Sequence, residues 1–242
     1  MTRTIIVTTV ATALLGSAAM LARAQQPAQL QPQLASFFVA DNPSGTGNLG
    51  GLAGADQICQ TQAQALGGAA AGKTWHAYLS QEQRGNTPKV NARGRIGQGP
   101  WYNVKGQLIA SNVGDLHGDQ QRDRNNVQRA TALDAKGNEI PGVGSPPGGN
   151  QHDAMTGSDS QGRAFTDGYD HTCNNWTSDQ MALPQGQNQN VPADRARAML
   201  GHTDRSGGQN TSWNSAHMSQ GCTKQSIINT GGAGRFYCFA TN

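Results

Sequence analysis

The chain has 242 residues, of which 18 are Lys or Arg and 15 are Asp or Glu; the formal net charge is +3, and 35% of the residues are hydrophobic. Arg3 and Arg23 lie near the start, and without them the net charge is only +1. This balance excludes the strong positive field typical of nucleic-acid-binding proteins, and the 32 glycines indicate a loop-rich chain with a modest core.

Residues 1–24 have the pattern of a secretory signal peptide. Arg3 supplies the positive start, an apolar segment runs from Ile5 to Met20, and Ala22-Arg23-Ala24 matches the A-x-A cleavage pattern. A membrane anchor is the alternative, but the apolar run is short and rich in Thr, Ala and Gly. We therefore expect cleavage before Gln25, a secreted or periplasmic protein, and no membrane span after cleavage.

The rest of the chain divides into a short leader and one domain. Residues 25–36 are rich in Gln and Pro, which predicts a flexible lead-in. Residues 37–242 have a length suited to a single domain. We find no internal repeat that would divide this domain further.

Periodicity predicts a mixed α+β domain. Residues 54–68 (GADQICQTQAQALGG) predict a helix, because Cys59, Ala63 and Leu66 recur at helical spacing and two glycines follow. Alternating or aromatic-rich stretches predict short strands, and GPWYNV with GQLIAS predicts a hairpin through residues 103–106. The predicted strands cover residues 37–40, 74–80, 153–157 and 234–241, with long polar loops over 115–150 and 178–194.

Four cysteines are expected to stabilise this loop-rich chain by forming disulfide bonds. An even number in an exported protein predicts two disulfides, whereas a zinc cluster needs close pairs such as C-x-x-C, which are absent. Counting alone leaves three pairings open. The cysteines are Cys59, Cys173, Cys222 and Cys238.

The order of several blocks resembles the endostatin domain of collagens XV and XVIII. The blocks are ADQICQTQAQALG, KTWHAYLSQ, WYNVKGQLIASN, MTGSDSQGRAFTDGYDHTCNNW and GCTKQSIINTGGAGRFYCFATN, and together they span nearly the whole chain from Phe37 onward. The most specific is G-S-D-x-x-G-R followed by a hydrophobic residue and Thr, with Tyr, Cys and Trp further on. The resemblance implies a C-type-lectin-like (endostatin-like) fold with two nested disulfides, Cys59–Cys238 and Cys173–Cys222.

The same resemblance implies a binding module rather than an enzyme. We expect a lectin-like module that binds a glycan; a protein-binding or adhesion module without a sugar ligand is the alternative. The expected partner is thus a glycan or an extracellular or periplasmic protein, with no nucleic acid. No G-x-S-x-G, H-E-x-x-H or P-loop pattern indicates catalysis.

We expect no metal or other cofactor, with calcium or zinc as the alternatives. Calcium-dependent lectins use E-P-N or Q-P-D with W-N-D, and this chain keeps only Trp213-Asn214-Ser215 of these. Endostatin holds zinc through N-terminal histidines, but here no histidine precedes His76.

Four later histidines have an aspartate within two residues, an arrangement that orients metal ligands or general bases. Their spacing matches no ligand motif, so we expect hydrogen bonds to loop backbone instead. These four are His117, His152, His171 and His202; a fifth, His217, lacks such an aspartate.

The candidate ligand residues are the polar and aromatic residues of the long loops, where binding residues concentrate. Trp213 is predicted to stack on a sugar ring; the alternative is that Trp213 fills the core and Asn214 caps a turn. Trp176, beside Cys173, is predicted to be a core residue. The candidates are Asp170, His171, Asn174, Asn175, His202, Asp204, Arg205, Trp213, Asn214 and His217.

Overall fold

The computed structural model describes Met1 and residues 29–119, 124–145, 149–181, 196–208 and 210–242. The predicted signal peptide, Met1 apart, lies outside the described residues. Residues 31–36, predicted as part of a flexible lead-in, pack on the domain: the backbone N–H of Gln31 donates to the Val104 carbonyl at 2.7 Å, and Ala35 is fully buried. The folded domain therefore begins before Phe37.

The domain belongs to the predicted α+β class. The predicted long helix and the predicted strands are all present. The long helix begins three residues earlier than predicted, and most of the strands are shorter than predicted. The sequence did not predict the short helices α2 to α5, the 3-10 turn, or strands β6 and β7. The elements are β1 (Phe37–Ala40), α1 (Gly51–Leu66), α2 (Gly68–Ala71), β2 (Trp75–Ala77), a 3-10 turn (Ala92–Gly94), β3 (Trp101–Tyr102), β4 (Leu108–Ala110), α3 (Val113–His117), β5 (Asp153–Met155), α4 (Cys173–Trp176), β6 (Met199–His202), β7 (His217–Met218), α5 (Lys224–Ile228) and β8 (Gly232–Ala240).

The main sheet has the order β1-β8-β5-β6-β7, and β2 also pairs with β8. Strands β1 and β2 run antiparallel to β8, whereas β5 runs parallel to it. Strands β3 and β4 form a separate hairpin. The first and last strands are therefore neighbours, and β8 connects three other strands.

The sheet is buried on both faces, which explains the continuous hydrophobic runs in β1 and β8. Side chains alternate across a strand: Phe38 and Cys238 face the core beneath α1, while Phe37 and Phe239 face a second, aromatic core. Helix α1 places Ala55, Cys59 and Ala63 against the first core at helical spacing.

Both disulfides have the pairing that the resemblance implies. Cys59–Cys238 joins α1 to β8, and Cys173–Cys222 joins α4 to the segment before α5. Two disulfides fit an oxidising compartment. Within the described part of the chain, no helix is both long and apolar enough to cross a membrane.

We predict that the two disulfides stabilise the fold unequally. They close segments with sequence separations of 179 and 49, and a longer closed loop loses more entropy in the unfolded chain. Replacing both Cys59 and Cys238 by Ala should lower the free energy of unfolding by about 1 kcal/mol more than the same change at Cys173 and Cys222. Urea unfolding of the two double variants measures this, and equal losses would contradict it.

Candidate functional site

The structure divides the ten candidate ligand residues between two places. One group lies around α4, beside the Cys173–Cys222 disulfide, and contains Asp170, His171, Asn174 and Asn175. The other lies at the ends of β6 and β7 and contains His202, Asp204, Arg205, Trp213, Asn214 and His217. Most of these side chains are buried, so they act beneath the surface rather than on it.

The first group is organised by Glu82, a buried carboxylate that the sequence did not single out. Its Oε1 accepts a hydrogen bond from the His171 backbone N–H at 2.9 Å and lies 3.0 Å from His171 Nδ1. Asn175 bonds the Glu82 backbone in both directions: Oδ1 accepts from its N–H at 2.8 Å, and Nδ2 donates to its carbonyl at 3.0 Å. Asp170 accepts from the backbone N–H groups of Thr172 and Asn174. These candidates therefore support the loop from inside.

The segment Cys173–Trp176 is a left-handed turn of four consecutive non-glycine residues, with φ between 48° and 65°. Such backbone costs about 1–2 kcal/mol per residue for most L-amino acids. The bonds from Asn175, the disulfide at Cys173, and a 2.7 Å bond from Trp176 Nε1 to the Ser80 carbonyl hold it. Trp176 is fully buried, as predicted. Strained backbone of this kind concentrates at ligand sites.

A cleft of about 240 Å³ lies over this network, and we call it the Tyr169 cleft. Tyr169 is 53% exposed. Arg84 Nη2 lies 2.8 Å from Glu82 Oε2 and 3.0 Å from Asp170 Oδ1, whereas its Nε is buried without an acceptor among the described residues. The cleft thus combines an aromatic ring with fixed charged groups. It is lined by Glu82, Gln83, Arg84, Phe165, Thr166, Gly168 and Tyr169.

Trp213 lies in the aromatic core and is only 1% exposed, so the predicted stacking on a sugar ring is wrong. Its ring centroid is 4.9 Å from that of Tyr78 and 5.4 Å from that of Tyr237. Asn214 is equally buried and donates through Nδ2 to the Tyr78 hydroxyl at 3.0 Å. The Tyr78 hydroxyl in turn lies 2.7 Å from His117 Nε2. These residues form a satisfied internal network and have no free face for a ligand.

The two histidines of the second group, His202 and His217, meet a third, His152, around one carboxylate. Strands β5 and β6 pair antiparallel with Asp153 opposite His202, and β7 adds His217. The Nε2 atoms of His152, His202 and His217 lie 3.3, 3.5 and 3.6 Å from Asp153 Oδ1. We call these four residues the histidine–aspartate cluster.

The cluster is almost closed to solvent. The side chains of His152, Asp153 and His202 are 4%, 0% and 3% exposed, and that of His217 is 28% exposed. Burial lowers the pKa of His202, and Asp153 opposes this shift only in part. The nearby Asp153 carboxylate raises the pKa of His217. One buried carboxylate therefore faces three imidazoles.

A second carboxylate, that of Asp204, contacts the other ring nitrogen of His152 and orients the ring. Asp204 Oδ1 lies 2.8 Å from His152 Nδ1, and Asp204 Oδ2 accepts from Arg129 Nη2 at 3.1 Å. Burial opposes the ionisation of Asp204, but hydrogen bonds from His152 and Ser206 outweigh it, so the pKa of Asp204 lies well below its ordinary value. The Arg205 guanidinium donates to Asn125 Oδ1 and to the Val127 carbonyl.

The cluster supplies three imidazole nitrogens and a carboxylate oxygen, and His152, Asp153 and His202 offer donor atoms within 4.8 Å of one another. Such donors suit transition metals and proton transfer. The candidate set contained His202 and His217 but missed His152 and Asp153, although a histidine beside an aspartate at the start of a predicted strand was a usable signal. It also missed Arg84 and Tyr169.

We predict that Asn175 is required for the left-handed turn. Asn175→Ala removes two hydrogen bonds to the Glu82 backbone, worth about 1 kcal/mol each. Asn174→Ala is the matched control, because Asn174 has nearly the same φ (54° against 53°) but is exposed. Urea unfolding should show Asn175→Ala to be the less stable variant by about 1–2 kcal/mol. Equal stability of the two would show that the Glu82 bonds contribute little.

We predict that His117 makes the protein acid-sensitive. Burial lowers the pKa of His117 to about 4 in the folded state, below the value of about 6.5 in the unfolded chain. The unfolded state therefore binds more protons as the pH falls from 6.5 to 4, and folding loses roughly 3 kcal/mol over that window. In His117→Gln this loss should be absent from the pH profile of unfolding free energy. Parallel profiles for the parent and the variant would disprove the assignment.

Comparison with known proteins adds no family assignment. No protein-family model matches this chain, and no curated protein matches it. Functional inference therefore starts from the Tyr169 cleft and the histidine–aspartate cluster.

Proposed function

We propose that the protein is an exported lectin-like module that acts by binding, and that it binds a glycan at the Tyr169 cleft. The observation that carries this proposal is an exposed tyrosine next to a fixed Arg84–Glu82–Asp170 group in a concave surface. The two disulfides, Cys59–Cys238 and Cys173–Cys222, have the pairing that the resemblance to endostatin implies. The predicted signal peptide and the disulfides support a secreted or periplasmic location.

The chemistry of the cleft matches the two needs of sugar recognition. A sugar ring presents an apolar face, which an aromatic ring covers, and hydroxyl groups, which need directional donors and acceptors. Tyr169 supplies the aromatic ring. Arg84, whose side chain is 35% exposed, supplies guanidinium N–H donors at the cleft, and Glu82, which also lines it, supplies a carboxylate.

The site is also prearranged, which reduces the entropy cost of binding. Glu82 and Asp170 are held by backbone N–H groups around α4. Phe165, on the cleft wall, stacks on His171 with ring centroids 3.8 Å apart. The buried candidates of the first group thus position the residues that meet the ligand.

A protein partner is the second candidate, and the same residues favour it. Tyr and Arg are enriched among the residues that dominate protein–protein binding energy. Tyr169 and Arg84 lie together at this cleft. A glycan and a protein are therefore the two alternative ligands for this one surface.

A glycan array with the mature, disulfide-bonded protein tests the proposal. We expect saturable binding to one glycan class that persists in chelator, because the cleft recognises the sugar through side chains. Tyr169→Ala should weaken binding about tenfold or more, equivalent to ~1.4 kcal/mol. Tyr169→Phe is the matched control and should bind within about threefold of the parent, because it keeps the ring.

Two results would overturn the glycan assignment. Unchanged glycan affinity in Tyr169→Ala, with the parent melting temperature, would place the site elsewhere. Absence of binding to every glycan on the array would leave the protein partner as the function of this cleft.

A further inference from the structure

We propose that the histidine–aspartate cluster is a binding site for one divalent transition-metal ion, with zinc as the best match. This departs from the sequence-based expectation of no metal, and it does not depend on glycan binding. The ion would bind His152, His202 and one oxygen of Asp153, whose donor atoms lie within 4.8 Å of one another, with His217 next to this set at 3.6 Å from Asp153 Oδ1.

The first argument is that Asp153 needs a cation. Its side chain is fully buried, and neither carboxylate oxygen accepts a hydrogen bond from the described residues. Among the residues that the structure describes, the other buried carboxylates all accept hydrogen bonds, usually from backbone N–H groups. A buried carboxylate without hydrogen bonds is strongly unfavourable unless a positive charge compensates it. His202 is similar, because both its ring nitrogens are buried and make no hydrogen bond to the described residues.

The second argument concerns where the ring protons lie. His152 Nδ1 faces the Asp204 carboxylate and His217 Nδ1 faces the Met218 carbonyl at 3.2 Å. Both partners only accept hydrogen bonds, so Nδ1 carries the proton in each ring. The Nε2 atom of each neutral ring then points a lone pair toward Asp153 Oδ1. Lone pairs that converge on a carboxylate oxygen repel it unless a cation lies between them.

The third argument is the spacing of the ligand atoms. Zinc bonds to nitrogen and oxygen are about 2.0–2.2 Å long, so ligand atoms at the corners of a tetrahedron lie about 3.3–3.5 Å apart. The three imidazole nitrogens lie 3.3, 3.5 and 3.6 Å from Asp153 Oδ1. The donor atoms of His152, Asp153 and His202 also lie within 4.8 Å of one another, so small side-chain rotations would bring these three to one central ion, whereas His217 lies outside this set.

The supporting residues follow the pattern of metal centres. Metal-bound histidines commonly donate their other ring nitrogen to a carboxylate or a carbonyl, which fixes the ring. His152 does so to Asp204, which Arg129 in turn holds. Gly142 lies so close to this pair that a Cβ atom there would come within 2.3 Å of Asp204 Oδ2. The orientation of His152 is therefore tightly constrained.

The donor set decides the class of metal and its role. Imidazole nitrogens favour zinc and related ions, whereas calcium and magnesium prefer oxygen ligands. His152, Asp153 and His202 supply three ligands, which leaves the fourth position of a tetrahedral shell for a further ligand such as His217. The three ligands come from β5, β6 and the residue before β5, so the ion would join these two strands beside β7, which has only two residues.

The experiment measures metal content and melting temperature of the mature, disulfide-bonded protein. After chelator treatment and removal of the chelator, we expect it to bind one zinc ion per chain. With zinc a hundredfold above Kd, the Tm should rise by about 5 °C or more, and calcium or magnesium should have no such effect. Asp153→Asn and His202→Gln should each lower zinc affinity a hundredfold or more, while His76→Gln, outside the cluster, is the matched control and should still bind one ion.

The competing explanation is that protonated histidines, rather than zinc, compensate the Asp153 carboxylate. The melting temperature of Asp153→Asn without metal distinguishes the two. If the site is built for a metal, the variant in chelator should melt no lower than the parent, because it lacks the uncompensated buried charge. If histidine protonation holds the cluster, Asp153→Asn should melt lower than the parent in chelator, and zinc should not change the parent Tm. That result, or zinc binding that survives both cluster substitutions, would overturn the proposal.

Discussion

The pairing of β8 with three other strands is the constraint on which the rest of the structure depends. Its nine residues hydrogen-bond with β1, β2 and β5, contribute side chains to both cores, and carry Cys238. A chain with few large aliphatic residues cannot stabilise long loops by hydrophobic burial alone. Strand β8 compensates by bringing both ends of the domain, the long helix and the start of β5 to one place.

The position of β5 beside β8 then determines the histidine–aspartate cluster. Asp153 and Gly232 lie opposite each other, and a Cβ atom on Gly232 would come within 3.2 Å of the Asp153 Cβ. On the other edge of β5, the antiparallel register places His202 opposite Asp153. The carboxylate is thereby held in the interior, where water cannot solvate it. A buried charge without hydrogen bonds is costly, so we interpret the cluster as a site that requires a cation.

The Tyr169 cleft is supported by a different kind of constraint. The left-handed turn at Cys173–Trp176 is unfavourable by itself, and Glu82, Ser80 and a disulfide maintain it. Because Glu82 also contacts Arg84 and His171, the backbone of the turn and the walls of the cleft form one hydrogen-bonded unit. The strained backbone thus lies directly beneath the surface that we propose as the ligand site.

The sequence alone determined the α+β class, the long helix, strands β1 to β5 and β8, and the presence of two disulfides, because helical spacing, alternation and an even number of cysteines are local or countable signals. It also showed that histidines and aspartates are close in sequence. Only the tertiary structure decided which of them meet: the β5–β6 register pairs Asp153 with His202, and Asp204 pairs with His152 across the same two strands. Burial was equally a tertiary outcome, since Trp213 in a polar stretch packs in the core while Tyr169 in a similar stretch is exposed. Which residues a sheet brings together depends on register and side-chain direction between distant segments, and no local pattern encodes these.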